Sequence, residues 1–266
     1  MNRISLIVFM FTCCVAALGG CASSGASGRG GDPGVLRIAT DATFPPFHFE
    51  NYVGDTTGYD VELARELATR AGLTPRVFIV RPYDRLWTGL ADGEFDVVAA
   101  TTGITEERQE IWLFTEPYYT TAQCALVRAG DFEPRILTDL QGLTIGAAGS
   151  GTSWLAAQSI RGATAVQLGK GQEGIPALHA GRIDALIVDE YEAVRAARES
   201  NGRYRVLREP VTIEEYAVVL PKNAKALKRA LDQALESMRE DGTIEELQRR
   251  FGLRRTPSWP VAIPSR

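Results

Sequence analysis

From Val35 onward the spacing of apolar residues switches repeatedly between a period of two and a period near 3.6, and this alternation most limits the folds open to the chain. "VLRIAT" (35–40) reads as a strand, and "GYDVELARELATRAG" (58–72) as an amphipathic helix with Asp60 near its start and Gly72 at its C-cap. "RVFIV" is a strand, "YDRLWTGLADG" a short helix and "FDVVAA" a buried strand. The same grammar restarts after "YYTTAQCALVRAG". Strand "LTIGAA", a helix from Thr152 to about Arg161, strand "AVQL", helix "IPALHAG", strand "DALIV", a helix from Glu190 to Glu199 and strand "YRVL" follow. Such alternation means βαβ units and mostly parallel sheets, and two sets of about 90 residues each predict an α/β protein of two lobes.

The end of the chain differs in kind. "YAVVLP" (216–221) reads as a strand, Ala224 to Glu240 as a long amphipathic helix stopped by Gly242, and Thr243 to Glu246 as a capping box opening a last helix to Phe251. A lone strand followed by helices is most economically a return to the first lobe.

At 266 residues and 45% hydrophobic, the chain has room for two domains. The formal net charge is −4, lysine is confined to positions 170, 222, 225 and 228, and the arginines form no basic stripe, so nucleic acid is not an expected partner.

Asn2 and Arg3 precede an almost continuously apolar run from Ile4 to Leu18, shorter than the roughly 20 residues of a membrane span, which reads as a secretory signal. Its end, "LGGC", resembles a bacterial lipobox in which Cys21 becomes the first residue and carries lipid. An uncleaved anchor, or a cut near Ala22, remains as the alternative. "ASSGASGRGGDPG" is a Gly/Ser tether spanning roughly 20 Å. The expected organisation is therefore a lipoprotein signal (1–20), a tether (21–34) and a folded body from Val35. From Val35 onward the sole cysteine is Cys124, within the apolar run "CALV", so no disulfide is expected in the folded body and the thiol reads as core. His48 and His179 make no ligand spacing with it, and neither a metal nor a cofactor is predicted. "GKGQEG" (169–174) matches a dinucleotide glycine pattern without the required strand and helix around it, and reads as a loop.

One local feature asks for a ligand. In "ATTGITEER" (99–107) and the Arg108 that follows, Thr105 reads as a helix N-cap, which puts an arginine at the third helical position, where a capping box would have Glu or Gln. A cation in the first turn opposes the helix dipole unless an anion is near. A surface pair with Glu106, Glu107 or Glu116 is the plain alternative. Likewise "GSGTS" (149–153) opens a helix whose free N–H groups can cradle an anion or simply be capped. Asp189 ends a buried strand, where open α/β sheets bind ligands, although Asp is also an ordinary N-cap.

Eight pieces in order, "ATDATFPPF", "GYDVELARELA", "GLADGEFDVV", "GITEER", "FTEPYY", "GSGTS", "AGRIDALIVDE" and "DGTIEELQRRFG", run from residue 39 to residue 252. Together they resemble the extracytoplasmic amino-acid-binding proteins of ABC transporters, the polar amino acid (family 3) group of the type II periplasmic binding fold. The resemblance implies two lobes closing on a free amino acid: lobe 1 from 35–122 and 217–253, lobe 2 from 123–216, and a tail over 254–266. The crossings would lie near Gln123 to Leu126 and Glu214 to Val218. It further implies an exported monomer that delivers its ligand to a permease.

Residue by residue, the resemblance implies that Arg108, whose planar fork suits a carboxylate, works with Thr152 and Ser153 on the ligand's carboxylate. Asp189 and the backbone of Gly103 would meet the ammonium. Asp41, Phe44, Tyr83, Thr101 and Trp154 would line the side-chain pocket, and an acidic Asp41 favours a polar or basic side chain. Gly103 stands where many relatives carry a hydroxyl, Gly149 looks inserted, and Trp154 and Tyr83 depart from the usual types, which leaves the ligand's identity open. Two other functions fit the same fold. One is a cyclohexadienyl or arogenate dehydratase, with Glu192 at the position of the general acid; against it stand Ser153 and Tyr83, where those enzymes have asparagine and tryptophan. The other is a sensing module for a separate signalling protein.

Overall fold

The computed structural model describes residues 32–130, 133–149, 151–169 and 173–253. The signal, Cys21, residues 22–31 of the tether and the tail 254–266 lie outside the described residues, as do Ser150 and residues 170–172 of the "GKGQEG" segment.

The chain opens with β1 (Val35–Thr40) and a small antiparallel meander of β2 (Thr43–Phe44), β3 (His48–Glu50) and β4 (Thr56–Thr57). Next come α1 (Tyr59–Arg70), β5 (Thr74–Ile79), α2 (Arg85–Asp92), β6 (Val97–Val98), α3 (Glu106–Ile111) and β7 (Trp112–Phe114). The long strand β8 (Tyr119–Arg128) leads to the second set: β9 (Thr144–Ala148), α4 (Thr152–Ser159), β10 (Thr164–Leu168), α5 (Gly174–His179), β11 (Ala185–Asp189), α6 (Glu190–Glu199) and β12 (Tyr204–Val206). Then β13 (Thr212–Tyr216), β14 (Val219–Pro221), α7 (Lys225–Glu240) and α8 (Thr243–Arg250) close the chain.

Two main sheets result. One has the order β5-β1-β6-β14-β7, and the other β10-β9-β11-β8-β12, with β13 added along β8. The parallel pairs β1·β5, β1·β6, β9·β10 and β9·β11 are the βαβ units that the alternating pattern predicts. In both sheets successive side chains point to opposite faces, and both faces are covered. Ile38, Val97 and Leu220 pack with α1, α7 and α8, through Leu63, Leu67, Leu231, Leu235 and Met238. Their neighbours Ala39, Val98 and Val219 pack with Leu86 and Leu90 of α2. In the second sheet Leu126 and Leu186 face Ala177, Leu178 and Ala193 of α5 and α6, while Ala125, Ala185 and Ile187 face Ala156 and Ala157 of α4. Cys124 belongs to the first of these clusters, and burial pushes its thiol up to about 12.

The two sheets are joined by an antiparallel ribbon in which Tyr119–Gln123 of β8 pairs with Thr212–Tyr216 of β13. The upper part of β8 then continues into the second sheet, so one strand runs from Tyr119 through the stretch 123–126 where the sequence places a crossing. The run "YAVVLP" likewise divides: Tyr216 ends β13, and only Val219–Pro221 form β14. The strand expected over "FDVVAA" keeps just Val97 and Val98, because the backbone turns out of the sheet at Ala100 and takes a left-handed conformation at Thr101 (φ 43°).

The last helix also differs from expectation. Thr243 is its first helical residue, after Gly242 at φ 81°, and its N–H and hydroxyl both donate to Asp241 Oδ1, at 3.0 and 2.6 Å. There is no capping box from Thr243 to Glu246. The aspartate two residues upstream supplies the acceptor instead, and its carboxylate also pairs with Arg70 of α1 at 2.7 Å, which ties the returning helices to the first lobe.

One glycine in this lobe has no substitute. Gly58 precedes α1 at φ 125°, and a Cβ there would stand 2.2 Å from the Phe47 carbonyl oxygen. The close approach docks α1 on the β2–β3 turn, through Tyr59 N–H to Pro46 O and Asp60 N–H to Phe47 O.

Candidate functional site

A cavity of about 210 Å³ opens between the two sheets, below the ~300–1,000 Å³ of sites for drug-sized ligands and suited to one small molecule. It is lined by Asp41, Thr43, Phe44, His48, Tyr83, Thr101 and Arg108 from the first lobe and by Gly151, Thr152, Ser153 and Asp189 from the second. Several of these groups sit at the C-terminal end of a strand or the start of a helix. Asp41 follows β1, Thr101 follows β6, Thr152 and Ser153 open α4, and Asp189 ends β11.

Arg108 is placed by the cap of its own helix. Its backbone N–H donates to Thr105 Oγ1 at 3.2 Å, as the N-cap reading of Thr105 predicts, and its Nη1 donates to the Gly103 carbonyl at 2.8 Å. The guanidinium lies over the Trp87 ring, 5.9 Å from the centroid, and no described residue forms an ion pair with it. The expected alternatives Glu106, Glu107 and Glu116 are not its partners.

Asp189 does not cap α6 with its side chain. Its Oδ1 accepts from the Tyr216 hydroxyl and from Gln123 Nε2, the latter at 3.1 Å. The same Gln123 amide reaches Thr152 Oγ1 at 3.4 Å and Glu214 Oε2 at 3.3 Å. The hinge ribbon thus carries three polar side chains, Gln123, Glu214 and Tyr216, that join the floor of the cleft to Thr152 and Asp189. Burial raises the Asp189 carboxyl, and the Tyr216 and Gln123 donors oppose that rise. Glu214 is raised to about 7 by burial and by the charge of Asp189.

The meander supplies the other wall. Asp41 is 6% exposed; Thr43 Oγ1 donates to its Oδ2 at 2.5 Å, and His48 Nδ1 stands 3.1 Å from its Oδ1. Burial pushes this carboxyl up, but the His48 ring and the Thr43 hydroxyl outweigh burial and hold it below its ordinary value. Tyr83 packs edge-on against Trp87 at 5.6 Å, so an aromatic shelf runs from the cavity to the underside of Arg108.

Eight of the ten residues expected to touch ligand therefore line one cavity, and two do not. Gly103 lies behind the wall, with its carbonyl bonded to Arg108 and its backbone bridged to Tyr216. A Cβ there would meet Glu214 Oε2 at 3.3 Å and Thr152 Cγ2 at 3.4 Å, so glycine leaves the space those side chains use. Trp154 turns away and packs on the second-lobe core with Ile145 and Ala156. Glu192 is not in the lining either; its carboxyl is raised by burial and by Asp189. Sequence reasoning passed over His48, Gln123, Glu214 and Trp87. Of these, His48 directly follows "ATDATFPPF", Trp87 lies within "YDRLWTGLADG", and Gln123 and Glu214 start the two expected crossings without an expected role in the site. Among the described residues no cluster of His, Cys, Asp and Glu could hold a metal, and no helix is long and apolar enough to cross a membrane.

This arrangement has counterparts. The L-cystine-binding protein TcyJ of Escherichia coli (strain K12) is 31% identical over 223 residues, covering 82% of each chain. The histidine-binding periplasmic protein of Salmonella typhimurium is 29% identical over 230 residues, covering 82% of this chain and 88% of that one. Among solved structures, an ancestral arginine-binding protein bound to arginine superposes with a TM-score of 0.71 at 29% identity, over 82% of this chain and 98% of that one. The model of the bacterial extracellular solute-binding proteins, family 3, matches residues 36–254, which span both sheets, the ribbon between them and the returning helices. With that match over the whole folded body, the chain belongs to the family 3 extracellular solute-binding proteins of bacteria.

Proposed function

We propose that the protein captures a free α-amino acid, with a polar or basic side chain favoured, in the cleft between its two sheets and delivers it unchanged to an ABC permease. The observation that carries this reading is the pairing of opposite chemistries in one cavity. An arginine without an ion-pair partner among the described residues shares it with the start of α4 and with the half-buried carboxylate of Asp189. A zwitterion needs both, since either charge left unpaired in a closed cleft costs several kcal/mol. In this reading Arg108, Thr152 and Ser153 take the carboxylate, and Asp189 takes the ammonium. Asp41, Phe44, Tyr83 and Thr101 meet the side chain. The relatives named above support it, being cystine-, histidine- and arginine-binding proteins.

As a member of an extracellular family the protein is exported. We assign it a lipid anchor at Cys21 and a monomeric state. The 35–122, 123–216 and 217–253 division, adjusted to the ribbon at 119–123 and 212–216, describes two lobes that close on the ligand. The position of Glu192 outside the lining favours capture over dehydration. Incubation with prephenate or arogenate is then expected to give no aromatic product.

The deciding experiment is a thermal-shift screen of the twenty amino acids. A ligand present at 100 times its Kd and binding only the folded state adds about 2.7 kcal/mol, so at least one amino acid should raise the Tm. A flat response to all twenty overturns the reading.

A further inference from the structure

His48 lines the cavity yet has no part in binding the ligand's carboxylate or ammonium. We propose that it determines the side-chain preference of the site: by occupying the Oδ1 edge of Asp41, it disposes the cavity to an uncharged, hydrogen-bonding side chain rather than to a guanidinium or an ammonium. The inference rests on the amino-acid reading above and narrows it.

A buried carboxylate with free lone pairs would be the natural counter-ion of a basic side chain. Asp41 meets that condition only in part, because its Oδ1, although without a hydrogen bond, is crowded by the His48 ring. Thr43 donates to Oδ2 and the His48 Nδ1 stands 3.1 Å from Oδ1, while Arg81 Nε donates to the Asp41 backbone carbonyl at 2.8 Å and brings a guanidinium, itself paired with Glu50, to the same corner. The imidazole is also fixed from behind. Its Nε2 is 3.2 Å from Thr101 Oγ1, and the Thr101 N–H donates to Asp60 Oδ2 at 2.6 Å, so α1, through Asp60, holds the turn that holds the ring. At 2% exposure, with the Phe44 ring 6.0 Å away, His48 cannot swing into water to release Asp41. A guanidinium or ammonium entering here must displace the ring from a buried carboxylate or rest beside a donor. An amide or another neutral polar group brings no charge to this corner and can rest beside the ring without displacing it. Specificity then follows from a group set against the wrong ligand as much as from attraction for the right one.

Titration calorimetry of the full chain with glutamine, asparagine, cystine, arginine and lysine tests this. The wild type should bind its best uncharged ligand about tenfold or more tightly than arginine or lysine. His48→Leu, which removes the polar ring, should shift that ratio toward arginine by about tenfold, and His48→Gln, which keeps a polar group at that edge of Asp41, should restore most of it. The gain for arginine should vanish in His48→Leu/Asp41→Asn. Thr43→Val, at an exposed residue that frees the other carboxylate oxygen, should move the ratio in the same direction by less, and serves where the leucine variant fails to fold. A wild type that prefers arginine, or a ratio unmoved by His48→Leu or, in its place, by Thr43→Val, overturns the assignment to His48 while leaving amino-acid capture intact. Absence of binding by every amino acid defeats the capture reading itself, so the two failures are distinguishable.

Discussion

Arg108 Nη1 donates to the Gly103 carbonyl at 2.8 Å, which moors the guanidinium to the loop that leads into its own helix and leaves its remaining N–H groups directed at the cleft. The Trp87 ring lies beneath it, 5.9 Å from ring centroid to Cζ. Arg108→Ala is therefore expected to weaken amino-acid binding by about 2–5 kcal/mol, the cost of removing one partner of a buried charge pair. Arg108→Lys should recover only part of this, since a lysine offers a point charge without the two parallel donors. Calorimetric Kd values check both, and wild-type affinity in the alanine variant would remove Arg108 from the carboxylate site.

Asp189 is held by Tyr216 and Gln123 and is not spent on capping α6. Asp189→Asn should weaken a bound amino acid by about 1.5–3 kcal/mol, the range for a hydrogen bond to a charged group. The matching deaminated acid, which lacks the ammonium, should lose far less. Equal weakening of the two in a competition assay would contradict the assignment.

Glu214 introduces a pH dependence of stability. Its folded value, about 7, stands above the ordinary 4.5. The contribution of its neutral form is complete below about 4.5 and lost as pH rises through about 7, a difference of up to about 3 kcal/mol. Asp60 and Asp189 are raised in the same sense and Asp41 is lowered, so the slope of the wild type alone is mixed. The difference between wild type and Glu214→Gln in urea unfolding isolates Glu214. It should favour the wild type most at low pH and shift against it between pH 4.5 and 7; a pH-independent difference would show that Glu214 titrates normally.

Gly58→Ala places a Cβ 2.2 Å from a backbone oxygen at a φ of 125° that side chains rarely adopt. The turn and α1 must shift apart, at a cost of about 3 kcal/mol or more. Urea unfolding should show it as a lowered midpoint. Gly54→Ala, also at positive φ (87°) but with nothing within 4 Å, should cost distinctly less.

The parts of the site that could be read from sequence are those that local patterns announce. Thr105 with Arg108, the "GSGTS" turn and the strand-end Asp189 each carry a conformational or electrostatic signal within a few residues, and the structure brings Arg108, residues 151–153 and Asp189 to one cavity. His48, Gln123, Glu214 and Trp87 carry none. Gln123 and Glu214 are 91 positions apart and meet because β8 and β13 pair in one register.

By itself, then, the sequence determined the elements and the faces they bury, because apolar periodicity is a local property that either suits a covered sheet or does not. Ile38 and Ala39, or Val219 and Leu220, go to opposite sides of one sheet for no reason beyond strand geometry. The tertiary structure alone decided what surrounds the ligand. It turned Trp154 into the core, put Gly103 behind the wall so that Glu214 could stand there, and set His48 against Asp41. Those outcomes depend on which distant segments the ribbon and the close approach at Gly58 bring into contact, and on which lone pairs are left free after the buried polar groups have satisfied one another.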